Sequence, residues 1–311
     1  MPRFSIIIPL YNKESHIIGT LDSVFKQSFT DYEIIVVNDG STDNSLQLVS
    51  ELKHKTLFVF NNKNQGVSQA RNFAMQQARG EYFAFLDADD IWLTNHLEKL
   101  NKLIVTYPNS GLYCTNYIFN YNNKFKTYTY FPTLPKEKKW SGIVPDFFID
   151  SLVFRIALTS ATAIPKEIIS EIGFFDTNFT SGQDTDYWIR IALKKPVTFT
   201  KEHTVMYMAG ADNRISDLSV RKRKCITFEK FKKEEKTNKS LKKFNDMCRY
   251  RLAIKYKITG DLKMYKYYKK DINLQNISWG KKIFFLIPNY ILLKLWQFKQ
   301  WLKIKKIDLS V

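Results

Sequence analysis

Three short polar clusters hold the residue types best suited to chemistry in this sequence: Pro9-Leu10-Tyr11-Asn12, Asn38-Asp39-Gly40-Ser41 and Asp87-Ala88-Asp89-Asp90. Tyr11 offers a flat ring on which a heterocyclic base can stack, and the Asp39 carboxylate can accept a hydrogen bond from a base N–H. Asp87 and Asp89, two residues apart on a tight loop, suit a hard divalent cation that bridges phosphate oxygens. Each feature also has a plainer reading. Acidic loops after strands are common as solvated turns, Tyr11 can be a core-edge aromatic, and Asp43 reads as a helix cap rather than a ligand. Taken alone, an arginine such as Arg71 is a surface cation.

The elements that must position these clusters are legible from periodicity. Apolar, β-branched runs at 4–8, 33–37, 56–60 and 81–86 read as buried strands. Between them, 13–27, 43–53 and 66–78 carry helical spacing. Alternating strands and helices imply βαβ units and a parallel sheet. Right-handed crossovers then bring the C-terminal strand ends to one edge, outside which ligands of open α/β sheets sit. Beyond about residue 110 the pattern changes. Residues 113–119 and 124–130 predict a hairpin around Asn122 and Asn123, and a helix is predicted over 146–155. An amphipathic helix is expected over 184–193, a strand over 205–208, and basic helices from about 220, broken near Gly260 and Asp261.

Four blocks, SIIIPLYNKE (5–14), VNDGSTD (37–43), NQGVSQARN (64–72) and GEYFAFLDADD (80–90), occur in this order. Together they resemble the family 2 inverting glycosyltransferases, specifically over 4–100 and more thinly to about 215. The resemblance implies an α/β fold of the GT-A type, a nucleotide-sugar-binding domain with a mixed, mainly parallel sheet. It also implies transfer from a nucleoside diphosphate sugar, UDP-linked, to an acceptor hydroxyl. Pro9 and Tyr11 would line the base pocket, Asp39 would bind the base, and Arg71 would reach the base or donor side. Asp87 would approach the ribose and the metal, and Asp89 of this DXD motif would be the principal ligand of Mg²⁺ or Mn²⁺. The family's later Glu-Asp pair corresponds to GQDTDYWIR (182–190), where Gln183 replaces the Glu and Asp184 stands at the catalytic base. Asp186 is the rival carboxylate. Two residues apart on a helix, the two cannot aim at one hydroxyl. Trp188 either borders the acceptor pocket or belongs to the core.

Charge divides the chain. Residues 221–311 carry 26 Lys/Arg against 7 Asp/Glu, a net +19, whereas 1–220 carry 22 against 23. This separates a catalytic domain over 1–215, with a donor half to about 105 and an acceptor half from 106, from a basic, mostly helical region over 216–311. Aromatics interleaved with lysines over 221–270 admit a nucleic-acid reading, against which stands a solvated helical face over a small core. Residues 279–306 combine apolar stretches with seven lysines, and Pro288 and Lys294 break them up short of a membrane span. They suit the headgroup region of an anionic membrane; if helical, Ile291, Leu295, Phe298 and Leu302 share a stripe. Three scattered cysteines, isolated histidines and the absence of a signal-peptide pattern lead us to expect a cytoplasmic protein, peripheral on the inner face of the cell membrane. It would act on a glycan or lipid-linked acceptor in surface polysaccharide or glycolipid synthesis, with no nucleic acid partner. The rival functions are a nucleotidyltransferase, for which 10–13 lacks the Gly-rich basic loop, and a basic nucleic-acid-binding protein.

Overall fold

The structure, a computed structural model, describes residues 1–121, 125–214 and 219–304, with 299–304 as backbone only. It comprises two compact units, Met1–Asp217 and Leu218–Val311.

The first unit is built on one sheet. Its opening half alternates strand and helix: β1 (Phe4–Leu10), α1 (Ile17–Phe25), β2 (Tyr32–Asp39), α2 (Ser45–Ser50), β3 (Leu57–Asn62), α3 (Val67–Gln77) and β4 (Tyr82–Phe85). Then come β5 (Ile91–Trp92), α4 (His96–Thr106), β6 (Leu112–Tyr121), β7 (Phe125–Tyr128), β8 (Ser141–Ile143), α5 (Phe147–Asp150), β9 (Thr162–Pro165), α6 (Ile168–Ile172), α7 (Gln183–Ala192) and β10 (Val197–Met208). The sheet runs β3-β2-β1-β4-β9-β6-β10-β5, with β7 beside β6 and β8 beside β10. Strands β3, β2, β1 and β4 are parallel, β9 runs antiparallel to both its neighbours, and β10 returns parallel to β6. The sheet is therefore mixed and mainly parallel.

The central strands read as unbroken apolar runs because both faces are covered. Ile6, Ile8, Ile34 and Val36 pack with Leu21 and Val24 of α1 and Leu100 of α4 in one core cluster. On the other face, Phe85 meets Phe175 and Trp188 edge-on at 5.5 and 5.7 Å. Trp188 is thus a core residue.

Two sequence expectations shift. The helix expected over 146–155 is a single turn. Asp146 caps it by accepting from the amides of Phe148 and Ile149, and the chain turns away at Ser151, whose hydroxyl accepts the amide of Ile156. The strand expected over 205–208 is the end of the twelve-residue β10. Strands β6 and β7 form the expected hairpin arms, but its turn at Asn122 and Asn123 lies outside the described residues.

The second unit is helical: α8 (Lys232–Thr237), α9 (Lys239–Ile258), α10 (Leu262–Lys269), α11 (Trp279–Leu286) and α12 (Asn289–Ile304). The break between α9 and α10 falls at Gly260, with Asp261 capping α10 through the amide of Met264. The aromatics that interleave with lysines point largely inward. Phe228, Phe231, Tyr250, Tyr256 and Tyr268 are buried, and Tyr256 stacks on Tyr268 at 5.6 Å. Buried Arg249 is held by Glu235 and Asp246. Among the described residues no helix is long and apolar enough to cross a membrane.

Candidate active site

The polar clusters converge because β1 lies between β2 and β4, so the loops that follow these three parallel strands are neighbours. The first two loops are stitched together. Asn12 donates its amide to Ser41 Oγ and accepts the Thr42 amide at 2.7 Å, Lys13 donates its amide to Ser45 Oγ, and Glu14 and Asp43 each accept a backbone amide from the other's loop. Asp43 also accepts the amide of Ser45, the first residue of α2, although the N-cap position itself is Asn44, one residue later than expected. Gly40 at φ +73° makes the turn, and a Cβ there would lie 2.8 Å from the Asn64 amide nitrogen. That close approach brings in the third loop. Asp39, buried, accepts the amides of Gln65 and Gly66 at 2.8 and 2.9 Å. Burial still raises its carboxyl above the usual range, outweighing those two hydrogen bonds. Pro9 sits within β1 opposite Val37, and Tyr11 stands exposed just beyond the strand.

The loop after β4 separates its carboxylates by direction. Asp90 turns inward, where it accepts from the Ser160 hydroxyl and, at 2.9 Å, from the Met208 amide, tying the loop to β10. Burial and the charges of Asp89 and Asp87 push its carboxyl well up. Asp87 and Asp89 stay partly open, each meeting one cation. Asp87 Oδ1 lies 2.6 Å from Arg71 Nη2, and Asp89 Oδ2 lies 2.8 Å from Lys13 Nζ. Arg71 is not the surface cation its helix suggests in isolation. It is buried, and its Nε and Nη1 have no hydrogen-bond partner. Lys13 is the residue that sequence reasoning missed. It reads as one exposed lysine among many, and only the loop geometry carries its ammonium to Asp89 and to the carbonyl of Asp212.

The fourth contribution comes from α7. Gly182, in the left-handed region at φ 90°, precedes the helix, and Asp184 lies in its first turn. The charge of Asp184 raises the Asp87 carboxyl, after burial and Asp89 and against the pull of Arg71, so the start of α7 acts electrostatically on the loop after β4. Asp184 is 33% exposed and 4.0 Å from Arg155. Asp186, fully enclosed, is bound to Arg190, which also grips the carbonyls of Ile172 and Phe174. The two carboxylates therefore differ in role: Asp186 fastens α7, and Asp184 faces outward.

The glycosyl transferase family 2 model matches residues 5–163, just over half of the chain. The chain belongs to glycosyl transferase family 2. Among its relatives, an uncharacterized glycosyltransferase of Rickettsia felis is 30% identical over 221 residues, 69% of this chain. The chain spans 34% of that protein's length. A UDP-Glc:α-D-GlcNAc-diphosphoundecaprenol β-1,3-glucosyltransferase of Escherichia coli is 37% identical over 120 residues, 38% of this chain and 47% of that one. The structure of residues 1–349 of Staphylococcus aureus TarS in complex with UDP-GlcNAc superposes with a TM-score of 0.58 at 20% identity, covering 90% of this chain and 77% of that one. The fold is thus the GT-A type.

Whether the family 2 residues suit a divalent cation can be judged from their donors. Among the described residues no three His, Cys, Asp or Glu side chains cluster as a metal cage. A small hard cation needs only one or two carboxylates when phosphate oxygens and water complete its shell. Asp87 and Asp89 each have a single oxygen committed to a cation, so the pair fits that mode.

Proposed function

We propose that the chain transfers a sugar from a UDP-linked donor to a hydroxyl of a glycan or lipid-linked acceptor, with inversion, in the synthesis of surface polysaccharide or glycolipid. The observation that carries this reading is the position of Asp184, one-third exposed in the first turn of α7, where its charge acts on Asp87 of the loop after β4. An inverting transfer needs a base beside the donor but not on its phosphates. In the proposed reaction Asp184 takes the proton of the acceptor hydroxyl as its oxygen bonds to the anomeric carbon. The bond from that carbon to the diphosphate breaks, and the nucleoside diphosphate leaves with its electron pair. Asp89, with Asp87, would hold Mg²⁺ or Mn²⁺, which supplies positive charge to the departing diphosphate. Two buried, unpartnered N–H groups of Arg71 are donors suited to a phosphate or sugar oxygen. Tyr11 and Pro9 border the base, and Asp39 receives it with the acceptor lone pairs its two backbone contacts leave. The UDP-Glc donor and diphosphoundecaprenol acceptor named for the E. coli relative support both ends of this assignment.

Two substitutions separate binding from chemistry. Asp89→Ala abolishes Mn²⁺-dependent binding of UDP in a calorimetric titration; an unchanged isotherm would refute the site. Asp184→Asn leaves that isotherm intact and lowers turnover by about 10²–10⁴-fold, the usual contribution of a positioned base. Retained turnover would transfer the role to another carboxylate.

A further inference from the structure

Helix α12 is apolar on nearly every side, yet among its described side chains only Leu292 is buried. Tyr290, Ile291, Leu293, Leu295, Trp296 and Phe298 are each more than a third exposed. On α11, Trp279 and Leu286 are 78% and 83% exposed. A helix that is hydrophobic all round belongs in a core or against hydrocarbon, and a soluble surface seldom presents so continuous an apolar patch. The stripe expected through Ile291, Leu295 and Phe298 is exposed along its described length; the Leu302 side chain lies outside the described residues.

This face is built into the second unit. The buried Lys257 ammonium on α9 donates to the carbonyls of Phe284, Phe285 and Ile287, closing the C-terminal end of α11 where its backbone acceptors are otherwise unmet. Tyr250 donates its hydroxyl to the carbonyl of Lys281, and Leu292 anchors the start of α12. The corner at Ile287 and Pro288 is thus fixed to α9 before any partner arrives.

We infer that the α11–α12 face docks on an anionic lipid surface, with both helices lying in the headgroup region. Charge complementarity selects this occupant. From residue 272 to 307 there is no Asp or Glu and there are seven lysines, of which Lys281 and Lys294 are exposed beside the apolar side chains. Trp279, Tyr290 and Trp296 have the amphipathic rings that concentrate at headgroup depth. A second copy of the chain would oppose lysine to lysine with no carboxylate between them. A nucleic acid gains nothing from exposed Leu and Ile, and the aromatics among the basic residues of α9 and α10 are largely in the core.

Co-sedimentation of the full chain tests this without any nucleotide, so its outcome is independent of the donor reading. The chain should pellet with vesicles of equal parts phosphatidylcholine and phosphatidylglycerol and stay in solution with phosphatidylcholine alone. Replacing Lys281, Lys282 and Lys294 together by Gln should lower partitioning on the order of a hundredfold, about fivefold per lysine. Leu286→Glu with Trp279→Glu should also release the chain, with an unchanged melting temperature because these side chains are 83% and 78% exposed. A chain that ignores both vesicles would overturn the inference. So would an apolar double variant that still pellets, or light scattering that shows the same variant dissolving a dimer.

Discussion

Arg71 and Lys13 show how a residue's neighbours determine what its charge does. Both are cations in blocks rich in polar residues, and both end on a carboxylate of the loop after β4. Arg71 does so from inside the protein, so its removal strands Asp87. Breaking a buried pair costs about 3–5 kcal/mol; because a third of the Asp87 side chain is exposed to water, Arg71→Met should cost about 2 kcal/mol. Urea denaturation measures this. Arg71→Lys should recover much of that stability but little of the affinity for a UDP-sugar, since an ammonium lacks the two free guanidinium donors. Equal recovery of both would reduce Arg71 to a structural counter-ion.

At the scale of elements, pairing and docking explain what periodicity does not. Strand β9 is four residues long, carries no alternation, and enters the sheet antiparallel between β4 and β6. Helix α4 docks through its first residue. His96 is buried, its Nδ1 is 2.7 Å from Thr204 Oγ1 on β10, and its ring lies on Trp92 at 4.3 Å. Burial lowers its pKa from 6.5 to about 3. Protonation therefore favours the unfolded chain. The stability contributed by neutral His96 is complete above pH 6.5 and is lost as the pH falls from 6.5 towards 3. The loss approaches about 1.4 kcal/mol per pH unit. Denaturant midpoints measured between pH 7 and pH 4 should fall more steeply in the parent chain than in His96→Gln; parallel curves would show that this histidine does not titrate on unfolding.

For the whole molecule, the uneven charge has a measurable consequence. The first 220 residues are close to neutral and the last 91 carry the excess of +19. Raising the salt from 0.1 to 1 M shortens the screening length from about 10 to about 3 Å. Association with anionic vesicles should therefore collapse over that range, whereas UDP binding in the presence of Mn²⁺ should change severalfold at most. Similar salt slopes for the two would mean that basic residues beyond 220 contribute to nucleotide binding.

The sequence by itself determined the parallel half of the sheet, the meeting of three polar loops at one strand edge, and family membership. These depend on periodicity and on short motifs within single loops, which local sequence encodes. It also separated the neutral part of the chain from the basic one. Only the tertiary structure decided the division of labour among the acidic residues. Asp90 and Asp186 turn inward to fasten the loop and α7, while Asp87, Asp89 and Asp184 keep an open side, because direction depends on what packs behind each backbone. The basic helices follow the same rule: their aromatics look like a binding stripe in the sequence, but most are enclosed as core, and the exposed apolar surface lies instead on α11 and α12.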